Sequence, residues 1–250
     1  AYSAGIFHLF THAFFKALLF LGAGSVIHAM RHEQDIQKMG GIRAKVPITW
    51  AMMLVGTLAL TGVGIPGLIG TAGFYSKDTI IEVAFASREP AAEFAFWALV
   101  IAALCTSFYS WLMFLTFHGS SRADHHTLEH AHESPWVMLA PLLVLAAGAL
   151  LAGVLFQHAF VGEGYAHFWR QALFTGAGND VLEEAHHVPE LVKWAPFAMM
   201  AAGLALAWLL YIAAPGMPPA LARAFAPIHK FLLNKWYFDE LYDWLLVRPT

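Results

Sequence analysis

Three residues with proton chemistry stand at fixed spacing in the apolar stretch "FHLFTHAFFKALLFLGAG", residues 7–24: His8, His12 and Lys16. On an α-helix, steps of four residues drift by only about 40°, so the three stack on one face and climb about 12 Å. Imidazole changes charge near neutral pH. A lysine at the centre of a membrane helix costs about 2.5–3.5 kcal/mol on insertion scales, which marks it as a functional candidate. The triplet therefore predicts a proton relay. Plainer readings stand beside it. Lys16 could reach the membrane interface, although a long apolar run separates it from Arg31, and either histidine alone would read as a hydrogen-bonded packing residue. The H-x-x-x-H at 8 and 12 is also half of a metal site, but no cysteine or carboxylate shares its helix and H-E-x-x-H is absent, so a metal is disfavoured.

A second group follows in "GFYSKDTIIEV": Lys77, Asp78 and, one turn on, Glu82. It comes directly after "GVGIPGLIGTAG" at 62–73, where five glycines and Pro66 interrupt an apolar segment. Proline removes a backbone donor and glycine adds backbone entropy, so a helix breaks there. Ion sites occur at such breaks in transporters. Ser76 is expected to cap the second half-helix, with Asp78 in its first turn and Lys77 against the positive end of the helix dipole. The alternative is a lysine at an ordinary surface junction. Glu82 either extends the relay or faces the exit side. The loop "HGSSRADHHTLEHAHESP" carries His118, His125, His126, His130 and His132. It reads as a solvated loop in preference to a metal-binding tract. Met, Phe and Trp on the apolar segments read as packing residues.

The elements that must position these groups are membrane helices. Of 250 residues 59% are hydrophobic and only 12% charged, and mean hydropathy is +0.58. That is too little charge to cover a soluble domain of this size. The predicted fold is all-α, a polytopic transmembrane bundle. Spans are expected at about 4–30, 47–87 (broken near 62–73), 92–117, 136–157 and 194–214. A broken helix survives at membrane depth only when buried in protein or lining a wet cavity. The segment 47–87 is read as one discontinuous span, with half-helices near 47–63 and 74–87; two separate helices are the alternative. If it crosses once, loop Lys and Arg divide nine against three. Arg31, Lys38, Arg43, Lys45, Arg122 and four residues of the tail then share the cytoplasmic or matrix side. In the tail, "HKFLLNKWYFDELYDWLLV" puts Lys235, Asp239, Glu240 and Asp243 on one polar arc, the pattern of an amphipathic helix lying along an interface or against partner helices.

Several functions are excluded by what is missing. One cysteine, Cys105, builds neither a disulfide framework nor an iron–sulfur cluster. No nucleotide-binding glycine motif is visible, and no basic cluster suggests nucleic acid. Electron chemistry is expected on another chain. The sequence starts without Met or a basic leader and stops inside a helical pattern, which reads as an internal or C-terminal fragment.

"HLFTHAFFKALLFLGAGSVIHAM", "DIQKMGGIR", "TAGFYSKDTIIE" and "NKWYFDELYD", in that order and over nearly the whole chain, resemble the subunit L family of antiporter-like membrane subunits of proton-pumping NADH–quinone oxidoreductase, respiratory complex I. "HAFFKALLFLGAGS" is similar in weaker form to the other antiporter-like subunits and to Mrp-type Na⁺/H⁺ antiporters; the tail motif points more narrowly to subunit L. The resemblance implies the C-terminal half of such a subunit, residues 1–215, followed from 216 to 250 by the start of a lateral helix. It implies that Lys16 is a central-axis lysine accompanied by His8 and His12, and that Lys77, followed by Asp78, is the lysine of the broken helix on the proton path. The family's first-half glutamate and lysine pair lies outside this sequence. No cofactor is implied on this chain; FMN, iron–sulfur clusters and quinone belong to partner subunits. Implied partners are the other membrane-arm subunits, above all the adjacent antiporter-like subunit, and the lipid bilayer. The implied location is a bacterial inner membrane in preference to a mitochondrial one. The alternatives are an Mrp-type antiporter subunit or a membrane-arm scaffold.

Overall fold

The computed structural model describes residues 2–176 and 178–249. Almost everything in it is helix. The long elements are α1 (Tyr2–Ala29), α2 (Pro47–Thr61), α3 (Ala72–Ala86), α4 (Ala92–Ser110) continued by α5 (Met113–Phe117), then α6 (His125–His130), α7 (Trp136–Phe160), α8 (Tyr165–Trp169), α9 (Val181–His186) and α10 (Glu190–Trp208). Segments Tyr2–Ala29, Ala92–Phe117, Trp136–Phe160 and Glu190–Ala213 are long and apolar enough to cross a membrane. The chain divides into two compact units, one ending at Ala207 and one beginning at Trp208.

The interruption between α2 and α3 follows from its glycines and proline. Gly62, at φ +74°, closes α2: its own N–H bonds the carbonyl of Ala59, and the N–H of Val63 bonds that of Leu58, a Schellman-type end that favours glycine. Two short strands, β1 (Gly64–Ile65) and β2 (Ile69–Gly70), pair antiparallel. Pro66 and Gly67 form their turn, with Gly67 at φ +79° and the N–H of Leu68 bonded to the carbonyl of Ile65, the type II preference for proline then glycine. Thr71, the N-cap of α3, returns to this end of α2 through its N–H and hydroxyl on the carbonyl of Val63.

Contacts along α1 fix how the two halves run. Ser25 meets Thr49, Gly22 faces Met53, Leu19 and Leu18 face Gly56, and Phe15 packs with Ala59. Continuing in the same direction, Phe15 lies beside Gly73, Thr11 bonds Ser76, and Ala4 and Phe7 pack with Val83. α2 and α3 thus follow α1 end to end in one direction, over about 30 Å of its length at 1.5 Å per residue. They form one discontinuous helix, antiparallel to α1. The third wall is α7: Ser134 just before it meets Ser25, Gly148 faces Phe14, Gly153 packs on Ala72 and Tyr75, and the Phe160 ring lies 5.4 Å from that of Phe7. α7 therefore runs parallel to α2–α3. α4 runs the other way, from Phe96 against Ile81 and Phe85 to Met113 just beyond its end, whose sulfur accepts from the Thr57 hydroxyl of α2. α10 lies along α4, with the Ser107 hydroxyl donating to the carbonyl of Met200 at 2.7 Å.

These directions place the loops at two ends. At one end Arg122 donates to the carbonyls of Gln37 and Ile36, and the N–H of Gly41 bonds the carbonyl of His118. At the other, Arg88 pairs with Glu184 and Asp180. The loops carrying Arg31–Lys45 and Arg122 share one end, the grouping that a single crossing of 47–87 demands.

The second unit is helical, but in short segments instead of one continuous amphipathic helix. Leu209–Ala213 is a single π-type turn, followed by α11 (Met217–Ala224), α12 (Ala226–Leu233), α13 (Phe238–Tyr242) and a second π-type turn at Asp243–Val247. Pro227 in the first turn of α12 starts a new helix, and Lys235, Trp236 and Tyr237 adopt left-handed φ of 51–62° between α12 and α13. The expected polar arc survives locally as Lys235–Asp239 at 3.2 Å; Asp243 pairs instead with Arg248.

Candidate functional site

The polar residues buried between α1 and α3 meet at Ser76. Its hydroxyl is fully buried and lies 3.0 Å from the Nδ1 of His8 and 2.7 Å from the hydroxyl of Thr11. It also donates to the carbonyl of Ala72 at 3.1 Å, while the single Thr11 proton is directed to Ser76 or, alternatively, to the carbonyl of His8 at 3.1 Å. A serine hydroxyl has one proton and two acceptor positions. When His8 holds a proton on Nδ1 it donates to Ser76, whose own proton turns to Ala72. When Nδ1 is bare, Ser76 can donate to it. The cluster is thus reversible in direction.

Ser76 is therefore not the cap expected from sequence. α3 starts five residues earlier than that expectation, because Thr71 has the extended backbone of an N-cap and α3 begins at Ala72. Asp78 consequently falls in the second turn. Lys77 does not sit against the positive end of its own helix. Its ammonium reaches back to the carbonyl of Thr61 at 2.6 Å, the last residue of α2. That carbonyl has no partner within α2 and lies at the negative end of the α2 dipole, which favours a cation. Lys77 thus ties the two halves of the broken helix together.

Three successive residues of α3 point three ways, as 100° per residue requires. Ser76 faces α1, Lys77 faces the end of α2, and Asp78 faces away from both. Asp78 is buried, one of its carboxylate oxygens has no hydrogen-bond partner, and with Glu82 it lines a cavity of about 410 Å³. Thr79 and Tyr75 of α3, Gln157 of α7, His186 of α9 and Lys193 of α10 add to the polar lining. The cavity is polar and large enough to hold water. Lys193 and His186 escape sequence reasoning because they lie more than a hundred residues away, on elements whose packing only the fold reveals.

On α1, the His8 and His12 rings are 5.7 Å apart and both are half-buried. Lys16, one turn further, is exposed on the surface of this chain. The three share a side of α1 as spacing predicted, but the face turns outward along the helix. His125, His126, His130 and His132 lie on the exposed α6 and its flank, whereas His118 closes α5 and packs against Trp50 and Phe114 with its Nε2 buried, so it is not part of a solvated loop; Asp124 caps α6, and the N–H of Thr127 holds its carboxyl below the usual range. Among the described residues no group of three or more His, Cys, Asp or Glu is placed to hold a metal ion.

A helical bundle with segments long and apolar enough to cross a membrane, one interrupted helix and a lysine at the interruption defines an all-α polytopic membrane protein. Residues 1–108 match the family model described as NADH:quinone oxidoreductase/Mrp antiporter, TM. The whole chain is 46% identical to NADH-quinone oxidoreductase subunit L of Rhodobacter capsulatus, covering 43% of that protein. It is 41% identical to subunit L of Rickettsia bellii, and over 99% of its length 39% identical to NADH-ubiquinone oxidoreductase chain 5 of Arabidopsis thaliana, covering 38% and 37% of them. The chain belongs to the family of antiporter-like membrane subunits that includes subunit L of NADH–quinone oxidoreductase, and spans about two-fifths of the length of these relatives.

Proposed function

We propose that this chain carries part of a proton-translocating path in the membrane arm of a proton-pumping NADH–quinone oxidoreductase, in an energy-transducing inner membrane. The observation that carries the reading is the His8–Ser76–Thr11 cluster, which joins the histidine stripe of α1 to the broken helix one residue from Lys77. Protons pass between Lys16, His12 and His8, cross to α3 at Ser76, and are exchanged at Lys77 and Asp78. Water in the cavity beside Asp78 and Glu82 leads away from them. His8 touches Ser76, the residue before Lys77, so on this reading a charge change on one of the two biases the other. Quinone reduction, with its FMN and iron–sulfur clusters, belongs to partner subunits, and the adjacent antiporter-like subunit is the neighbour facing this one.

The test is Lys77→Met in the complete assembled oxidoreductase. NADH oxidation and proton pumping should both fall while the complex still assembles. Normal pumping by intact Lys77→Met complex refutes the path. The family model also spans Mrp antiporters, so a second reading is a cation/proton antiporter subunit. It requires proton movement that depends on Na⁺ and persists without NADH.

A further inference from the structure

The far end of α2 has a polar anchor of its own. Its N-cap, Val46, is buried and has no side-chain acceptor, so the first N–H groups of the helix need partners from elsewhere. Glu133, in the segment before α7, supplies them. One carboxylate oxygen accepts from the N–H of Ile48 at 2.7 Å and of Thr49 at 3.2 Å; the other accepts from the Thr49 hydroxyl at 2.5 Å. The Thr49 hydroxyl lies 2.7 Å from that of Ser25 on α1, and Ser25 lies 2.6 Å from the hydroxyl of Ser134. All three hydroxyls are buried. One carboxylate therefore closes a cluster that joins α1, α2 and the start of α7. The neighbouring titratable groups are His132, whose ring bonds the backbone carbonyl of Glu133, and His28, stacked edge-on to His132 at 6.4 Å.

α2 thus has a carboxylate at its N-terminus and the Lys77 ammonium at its C-terminus, both matched to its dipole. Its fifteen residues make a rod about 22 Å long. We propose that Glu133 is a positioning residue for Lys77: it fixes the axial position of α2, and with it the Thr61 carbonyl on which the ammonium rests. This inference rests on the reading of Lys77 as a proton carrier.

The test uses the complete assembled oxidoreductase in native membranes, comparing Glu133→Ala, Glu133→Gln and Lys77→Met at equal amounts of complex. Glu133→Ala should lower NADH-driven proton pumping about five-fold, the scale of a lost helix cap. It should also displace the alkaline limb of the pH–rate profile by about half a unit or more, a change that simple loss of complex does not produce. Glu133→Gln keeps an acceptor oxygen for the Ile48 and Thr49 N–H groups and should restore most of the rate and the parental profile. Parental rate and profile in Glu133→Ala, or a Gln variant as impaired as Ala, overturns the proposal. If Glu133→Ala does not assemble, Thr49→Val, which removes only the hydroxyl link, decides by the same readouts: a displaced profile supports the positioning role and a parental one ends it. A silent Glu133→Ala beside an inactive Lys77→Met refutes only the positioning role; pumping by Lys77→Met refutes the proton-carrier reading itself.

Discussion

The ammonium of Lys77 and the carbonyl oxygen of Thr61 lie 2.6 Å apart, although the two residues belong to opposite halves of a broken helix. The contact spans the interruption and satisfies a carbonyl that α2 itself leaves open. It also places Lys77 beside Gly62, where an added Cβ would come within 2.5 Å of the Nζ. Gly62 and Gly67 both have left-handed backbones, at φ +74° and +79°, but a Cβ at Gly67 meets nothing within 4 Å. Substituting alanine at either position therefore costs about 1 kcal/mol of backbone strain, while only Gly62→Ala also presses on the lysine. Gly67→Ala should leave proton pumping close to the parental rate, and Gly62→Ala should lower it several-fold in complex that still assembles. Pumping assays on matched membranes check this; equal effects at the two positions would show that backbone strain, not the lysine contact, dominates.

Ser76 gives a sharper test of the link between α1 and α3. Ser76→Ala removes the hydroxyl that both His8 and Thr11 touch. Thr11 retains the carbonyl of His8 as an acceptor, so one hydrogen bond is exchanged for another and stability should change by only about 1 kcal/mol. Proton transfer between the helices should nevertheless slow, since His8 loses its partner across the gap. The expected outcome is normal complex abundance on native gels with reduced pumping per NADH oxidised. Thr11→Val should have a smaller effect in the same direction, because His8 and Ser76 remain in contact. A pumping ratio unchanged in Ser76→Ala sinks the role assigned to this cluster.

Asp78 and Glu82 line the same cavity but differ in burial: Asp78 is buried, with one oxygen lacking a protein partner, and Glu82 is half-buried. On the proposed path, replacing the buried carboxylate should matter more than replacing the less buried one. Asp78→Asn, nearly isosteric, should abolish most pumping, whereas Glu82→Gln should leave a reduced but measurable rate. Rates of NADH-driven acidification or quench in vesicles measure both. The reverse ranking would place the proton-carrying group at Glu82, not Asp78.

The histidine stripe, the helix break and the Lys77–Asp78 pair were legible in sequence because each depends on local spacing or on residues that disrupt a helix within a few positions. The orientation of Lys77 was not. It turns on where α3 begins, and the rule that favours serine as a cap pointed to Ser76, while Thr71 takes that place because it also bonds the end of α2. The contact between Ser76 and Thr11 is not legible in the sequence, because a hydroxyl carries no such signal until a partner from another helix stands opposite it. Lys193 carries no local signal in the sequence, because its place in the same cavity as Glu82 depends on packing among α3, α7 and α10. The tail pattern read as one helix because hydrophobic periodicity does not register three consecutive left-handed residues at 235–237.

Gly73 of α3 packs directly against the backbone of Ala59 in α2. A Cβ there would overlap the carbonyl oxygen of Ala59, and the atoms in the way are backbone, which cannot rotate aside. Phe15 of α1, itself buried, lies against the same spot, so α3 has no room to retreat. Gly73→Ala should force α3 away from α2, lengthening the Lys77–Thr61 contact as well as opening the core; overpacking of this kind costs about 1–3 kcal/mol or more. Gly24→Ala on α1 makes the comparison, because a Cβ there meets nothing within 4 Å, and it should be tolerated or slightly favourable for the helix. The expected result is a sharp fall in assembled complex for Gly73→Ala and none for Gly24→Ala, read from thermal stability in detergent and from abundance in membranes. Normal stability of Gly73→Ala would mean that the two halves are not in the close contact described, and the placement of Lys77 on Thr61 would fall with it.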